Sequence, residues 1–280
     1  MKTAARARLG PGEIIMRGLA VGFAYALASA LAAALLGPLS RLAPSIDNLL
    51  VWFISGSLTA FALSPFILHT VWPRRDTILA AWAVIAFVRV LGLGIEGSLF
   101  KPTQAVNAVV GTAAGLLIAL LVAWLAVWLF MPSPTAMPRP GSGRSLWGWT
   151  WRVLVVGAAY FVFYFVFGAT NALLYTKPFY ENNPQYGLAL PPAGVIFAAQ
   201  LLRGPLFGLG SLFIVMCADA PRPRMAVWLG LLLFVVGGLG PYLETTFRTM
   251  PLGFNTATLL ELFLQNFLTG VVAVYLYRSK

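Results

Sequence analysis

The chain has 280 residues, of which 60% are hydrophobic and only 10% are charged. Soluble proteins average about 45–50% apolar and about 25% charged residues, so this composition excludes a soluble globular protein and indicates a polytopic helical membrane protein. The formal net charge of +11 is a pattern that nucleic-acid-binding proteins also show. The positions of the basic residues favour a role in membrane topology instead, and we expect no nucleic-acid partner.

Eight apolar stretches are long enough to cross a bilayer, which requires about 20 residues per helix. They predict helices at 14–37, 48–71, 77–99, 103–130, 147–174, 194–217, 225–246 and 252–277. Several of the short turns between them contain proline, which ends one helix and suits the first turn of the next. Glycine-rich tracts at 92–94 and 237–240 predict that the third and seventh spans bend or break before their glutamates.

The sequence contains an internal repeat. Segment 17–25 returns as segment 152–160, with six of nine positions identical at an offset of 135. Further on the offset is 148, as seen in the matched pairs Gly56/Gly204, Pro73/Pro221, Glu96/Glu244 and Asn107/Asn255. Because each half holds an even number of spans, both halves have the same orientation, and the repeat predicts a pseudo-twofold axis along the membrane normal.

The predicted organisation is two parallel four-helix membrane repeats, 1–130 and 147–280, joined by a linker at 131–146. The linker is rich in proline and glycine, which disfavour helix, and it is expected on the cytoplasmic side. The difference between the two offsets indicates an insertion in the second half, predicted as an external loop at 175–192.

The basic residues divide unequally between the two sides of the membrane. In the predicted topology thirteen lysines and arginines fall on the side of the amino terminus, and four fall on the other side: Arg41, Lys101, Lys177 and Arg248. Cytoplasmic loops carry such an excess of positive charge. The bias predicts a bacterial-type inner membrane protein with both termini in the cytoplasm.

The residues that carry enzyme chemistry are scarce. His69 is the only histidine and Cys217 the only cysteine, which excludes a histidine-rich metal site and a multi-thiolate site within this chain. No phosphate-binding glycine loop is present. We therefore expect no enzymatic activity, no metal and no cofactor.

A repeated polar pair is the strongest candidate site. Glu96 and Asn107 are 11 residues apart across one external turn, and Glu244 and Asn255 are 11 apart across the equivalent turn. A carboxylate at this depth is costly unless it is solvated or hydrogen-bonded, and an amide supplies the donors. Two interpretations remain open: each asparagine satisfies its own glutamate and locks the hairpin, or the two pairs flank a vestibule that binds a cation, a proton or an amine.

Three charges have no counterpart in the other half. Arg203 and Glu261 lie at similar depths, roughly 14 Å into the sixth and eighth spans at 1.5 Å per residue, and they are candidates for an ion pair inside the membrane. That pair is either a structural staple or part of a substrate or proton path. Arg89, in the middle of the third span, is predicted as a structural charge on about the same face as Glu96.

The eighth span is the most polar helix, and its stripe contains Asn255, Thr258, Gln265 and Thr269. A helix with such a stripe lines water or packs against polar neighbours, which makes it the leading candidate for a pathway helix. The predicted ligand or ion path comprises Glu96, Asn107, Arg203, Glu244, Asn255, Glu261 and Gln265.

Two principal functions are compatible with these features. The first is a secondary transporter or channel for a small or charged solute, with a path between the two repeats. The second is a non-catalytic subunit that scaffolds a larger membrane complex, and a lipid-handling role is a third alternative. The expected partners are membrane lipid, a small solute whose identity the sequence does not specify and, under the second hypothesis, other membrane subunits.

Overall fold

The computed structural model describes residues 9–40, 46–100, 108–131, 143–181 and 191–278. In these ranges eight helices are long and apolar enough to cross a membrane, which agrees with the predicted all-helical, multi-pass membrane class. Five of them are regular α-helices: α1 Pro11–Ser40, α2 Ile46–Leu68, α4 Ala108–Phe130, α6 Ala193–Cys217 and α8 Leu252–Tyr277.

Helices α3, α5 and α7 each contain a π-helical segment. Helix α3 runs as Arg74–Val84, a π segment Ile85–Leu91, and Gly92–Phe100. Helix α5 runs as Leu146–Asn171, a π segment Ala172–Thr176, and Lys177–Glu181. Helix α7 runs as Arg222–Phe234, a π segment Val235–Leu239, and Gly240–Thr245. The bends predicted in the third and seventh spans therefore take the form of wider turns within continuous helices. Such π segments are rare and frequently mark functional sites.

The turn residues of the sequence set where several helices begin. Pro73, Pro192, Pro221 and Pro251 each directly precede the first helical residue, where the N–H that proline lacks is not needed. Helix α5 continues to Glu181, so residues 175–181 of the predicted external loop are helical. Residues 182–190 of that loop lie outside the described ranges.

Helices α2, α3, α6 and α7 form the centre of the bundle. Between 44% and 61% of the residues in their apolar stretches are buried by protein, against 22–33% in α1, α4, α5 and α8. In the centre α3 packs against α6 and α7 against α2, while the outer helices pack on these four and on one another. Large apolar side chains of the outer helices, such as Phe23, Leu117 and Trp128, remain exposed, as expected for surfaces that contact lipid.

A short antiparallel bridge joins the turns that follow α2 and α6. The bridge pairs Thr70 with Ala218. Two backbone hydrogen bonds flank it, 2.8 Å from Val71 N–H to Cys217 C=O and 2.9 Å from Asp219 N–H to His69 C=O. The two central hairpins are thus held together at the end of the bundle where the amino terminus lies.

Candidate functional site

One ion pair, between a buried arginine and a half-buried glutamate, joins α3 to α6. Arg203 Nη2 lies 2.8 Å from Glu96 Oε2, and Arg203 is only 1% exposed. Its Nη1 donates to Gln200 Oε1 at 3.0 Å, and its guanidinium carbon lies 5.5 Å from the ring centre of Tyr160. A charge at this depth persists only when it is paired and hydrogen-bonded, so the pair fixes α6 against α3.

A second buried ion pair joins α3 to α7. Arg89 Nη2 lies 2.6 Å from Glu244 Oε1. The Tyr25 hydroxyl accepts a hydrogen bond from Arg89 at 2.7 Å and donates one to Glu244 at 3.0 Å, and the Ser55 hydroxyl accepts from Arg89 at 3.1 Å. The partner of Arg89 is therefore Glu244, although the sequence placed Arg89 on the same face as Glu96.

The predicted pairing of Glu244 with Asn255 is wrong. The Asn255 side chain accepts from the Tyr242 hydroxyl at 2.5 Å and donates to two carbonyls of the turn before α8 at 2.9 and 3.0 Å. In the first turn of α8 its amide therefore satisfies the backbone of the connection, while Glu244 is bound by α1 and α3. Asn107 lies outside the described residues, so its pairing with Glu96 stays a prediction.

The predicted ion pair between Arg203 and Glu261 is also wrong. Arg203 is bound to Glu96, and Glu261 Oε2 accepts a hydrogen bond of 2.6 Å from Asn171 Nδ2 on α5. The two charges do lie at similar depths, but depth does not determine the direction in which a side chain points around its helix. Across the described ranges, no cationic side chain lies within ion-pair distance of Glu261.

Glu261 lies in the wall of a cavity of about 440 Å³ that is bordered by α3, α5, α6, α7 and α8. Glu96 belongs to the same wall, and most of the remaining surface is apolar or aromatic, with Leu93, Tyr164, Phe165, Tyr180, Tyr242 and Phe254. The cavity thus brings together two of the predicted site residues, Glu96 and Glu261. Four others are not part of its wall: Arg203, Glu244, Asn255 and Gln265.

The first half contains a smaller cavity among its described residues. A cavity of about 70 Å³ lies among α1, α2, α3 and α4, and its lining includes Tyr25 and Arg89. The residue that corresponds to Glu261 at the repeat offset is Ala113. The carboxylate of Glu261 therefore has no counterpart in the sequence of the first half.

Two buried amides follow Glu261 along α8 toward the end of the bundle where the amino terminus lies. Gln265 is 2% exposed and Asn266 is 0% exposed. Gln265 Oε1 and Asn266 Oδ1 accept no hydrogen bond from any described residue, whereas most buried polar atoms in proteins have a partner. Buried acceptors of this kind are positions at which water or a solute binds.

Among the residues of these sites that sequence reasoning missed are Tyr25, Tyr160 and Asn171. Tyr25 and Tyr160 occupy equivalent positions in the repeated segments, and each ring faces an arginine, Arg89 at 5.1 Å and Arg203 at 5.5 Å. The tyrosine recurs at the same position of the repeated segment, and this recurrence could have identified both residues as candidates. Asn171 carries no such signal, because it has no repeated counterpart.

Comparison of the chain with family models, curated proteins and solved structures gives no significant match. The functional argument therefore depends on the geometry of the cavity and on the charges in its wall.

Proposed function

We propose that this chain is a secondary transporter or channel of the membrane, and that a small solute binds in the cavity beside Glu261. The observation that carries the proposal is a carboxylate without a cationic partner in the wall of a solute-sized cavity. Ionisable side chains inside a membrane are costly and are characteristic of substrate, ion or proton paths. A neutral side chain at this position would serve packing equally well.

The proposed path runs through the second repeat beside α3. Between the repeats the charges of Arg89 and Arg203 are already used by Glu244 and Glu96. In the second repeat the cavity, Glu261 and the buried amides Gln265 and Asn266 follow one another along α8. This differs from the path on the axis between the repeats that the sequence alone suggests.

We further propose that the two halves are parallel repeats about a pseudo-twofold axis along the membrane normal. Equivalent contacts support this arrangement. Arg17 of α1 binds the Leu129 carbonyl at the end of α4, and Arg152 of α5 binds the Leu276 carbonyl at the end of α8, the latter at 3.0 Å. The bridge between Thr70 and Ala218 joins positions separated by 148, which is the repeat offset.

The proposed location is a bacterial-type inner membrane, with both termini in the cytoplasm. Exposed arginines at the amino-terminal end of the bundle support it, namely Arg74, Arg75, Arg222 and Arg224. At the opposite end Lys177 and Arg248 each have an acidic partner, Glu181 and Asp47. An excess of lysine and arginine, whether or not they are paired with acidic residues, is the mark of the cytoplasmic side.

Gentle extraction followed by native mass spectrometry separates this proposal from the scaffold alternative. We expect a single chain or a homo-oligomer that retains a small molecule. Glu261→Gln should lose that molecule, whereas Asp47→Asn should keep it, because neither Asp47 nor its partner Arg248 is part of the cavity wall. A defined set of co-migrating proteins without a retained small molecule would contradict transport and support a scaffold.

A further inference from the structure

The charges in the cavity wall do not balance. Three ionisable side chains of the wall are acidic or basic: Glu96, Lys177 and Glu261. Glu96 is paired with Arg203 at 2.8 Å, and Lys177 is paired with Glu181 at 3.6 Å. Glu261 instead accepts a hydrogen bond from a neutral amide. The charge that remains for a ligand is therefore one carboxylate.

The neutral part of the wall also favours a cation. The rings of Tyr164, Tyr180 and Tyr242 border the cavity, and the faces of aromatic rings attract ammonium groups. An anionic ligand would instead meet the Glu261 carboxylate, which has no cationic partner among the described residues, and like charges repel.

The size and the apolar surface of the cavity indicate an organic ligand. Its volume of about 440 Å³ falls within the range of about 300–1,000 Å³ that is typical of small-molecule sites. A metal ion or a proton would leave most of the apolar wall, with Leu93, Phe165, Ile196, Phe254 and Leu262, without contact. An alkyl or aryl group fills such a surface favourably.

We propose that the cavity binds an organic monocation, an amine whose ammonium group contacts Glu261 and whose aromatic or alkyl body packs against the apolar wall. This assignment of a substrate class rests on the function proposed above. The free oxygen of the Glu261 carboxylate accepts from the ammonium, while Asn171 holds the other oxygen in place. The unpaired charge of Glu261 is then neutralised by the solute itself.

A cysteine protection assay tests this assignment. In a Cys217→Ala background, Ala172→Cys places a thiol in the cavity wall, and Val166→Cys places one on the same helix at a position that is 52% exposed on the outer surface. The rate of modification by a neutral methanethiosulfonate is measured in detergent. The probes are 3-phenylpropylammonium, 3-phenylpropanol and 3-phenylpropanoate, which differ mainly in charge.

We expect 3-phenylpropylammonium to slow modification of Ala172→Cys, and 3-phenylpropanoate to have no effect at the same concentration. Glu261→Gln should weaken protection by about tenfold or more, since a charge-assisted hydrogen bond is lost. Glu261→Asp should keep the preference for the ammonium. Asp47→Asn, in an exposed ion pair outside the cavity wall, should leave protection unchanged. Modification of Val166→Cys should not respond to any probe.

The outcomes separate this inference from the proposed function. Equal protection by the alcohol and the ammonium, protection by the carboxylate, or no protection by the ammonium overturns the amine assignment and leaves a solute site. Protection that survives Glu261→Gln overturns the role of Glu261. If Ala172→Cys does not react while Val166→Cys does, the cavity is closed to solutes, and the proposed function fails as well.

Discussion

At the scale of single residues, the two central glutamates are neutralised by different means. Glu96 and Glu244 are equivalent in the repeat, yet Glu96 is bound by Arg203 of α6 and Glu244 by Arg89 of α3. The residue equivalent to Arg203 is Ser55, whose hydroxyl accepts a hydrogen bond from Arg89. Each site therefore contains one arginine, but it comes from a different helix, and inspection of equivalent positions cannot identify the pairs.

The buried pair between Glu96 and Arg203 should be essential for stability. Glu96→Gln leaves Arg203 charged and unpaired, and we expect a loss of about 3–5 kcal/mol in the free energy of unfolding. The exposed pair of Asp47 and Arg248 provides the control, because Asp47→Asn should change this free energy little. Unfolding by denaturing detergent in mixed micelles measures both.

A double variant completes this test. Arg203→Met combined with Glu96→Gln removes the unpaired charge and should recover most of the lost stability. Similar losses for Glu96→Gln and Asp47→Asn, or no recovery in the double variant, would contradict the assignment of a buried ion pair.

At the scale of helices, glycine determines how closely neighbours approach. An ideal Cβ on Gly157 of α5 would lie 2.8 Å from backbone atoms of Gly204 and Pro205 on α6, so any side chain there forces the two helices apart. Gly22 of α1 meets α2 in the same way, 2.8 Å from the Ser57 backbone nitrogen. The small-residue spacing of Gly111 and Gly115 is different, because a Cβ on Gly111 would meet no described atom within 4 Å.

Substitution of Gly157 and of Gly111 should distinguish a glycine in close helix contact from one that faces open space. Gly157→Leu is expected to destabilise the protein by about 2 kcal/mol or more, because backbone cannot move aside as a flexible side chain can. Gly111→Leu should be tolerated. The difference in stability between the two variants is measured as the midpoint of thermal unfolding in detergent, with size-exclusion chromatography used to monitor unfolding. Equal midpoints for the two variants would contradict the close packing of α5 on α6.

The π segments belong to this scale as well. They contain Arg89 in α3 and Gly237 and Gly238 in α7, and in α5 the segment follows directly after Asn171, the partner of Glu261. Each wide turn therefore lies beside one of the charged sites. The glycine-rich tracts indicated an irregularity in α3 and α7, but the segment in α5 has no comparable composition and could not be predicted in this way.

At the scale of the whole molecule, the sequence predicted the helices far better than the site. Eight apolar stretches place eight membrane helices within five residues of their observed bounds, except for α5, which continues seven residues past its predicted end. Hydropathy and proline turns act locally, which explains the agreement. The partners of Glu244, Arg203 and Glu261 depend on which face each helix turns toward its neighbours. That rotation is decided by packing among several helices, and spacing along one chain does not determine it.

The cavity in the second half is a further feature of the whole molecule. It has a volume of about 440 Å³, and its wall contains Glu261, whose counterpart in the first half is Ala113. The absence of symmetry in Glu261 was visible in the sequence and correctly marked it as unusual. The volume of the cavity could not be predicted from the sequence, because it depends on the distances between α5, α7 and α8 in the folded protein.

The most direct test of a solute path is whether its cavity opens to both sides of the membrane. In right-side-out and inside-out vesicles, a membrane-impermeant thiol reagent is applied to Ala172→Cys in the Cys217→Ala background, with Val166→Cys as the control for lipid-facing positions. A transporter or channel predicts that Ala172→Cys is modified from either side, and that Val166→Cys is modified from neither. Modification from one side alone, under every condition of solute and membrane potential, would contradict the account.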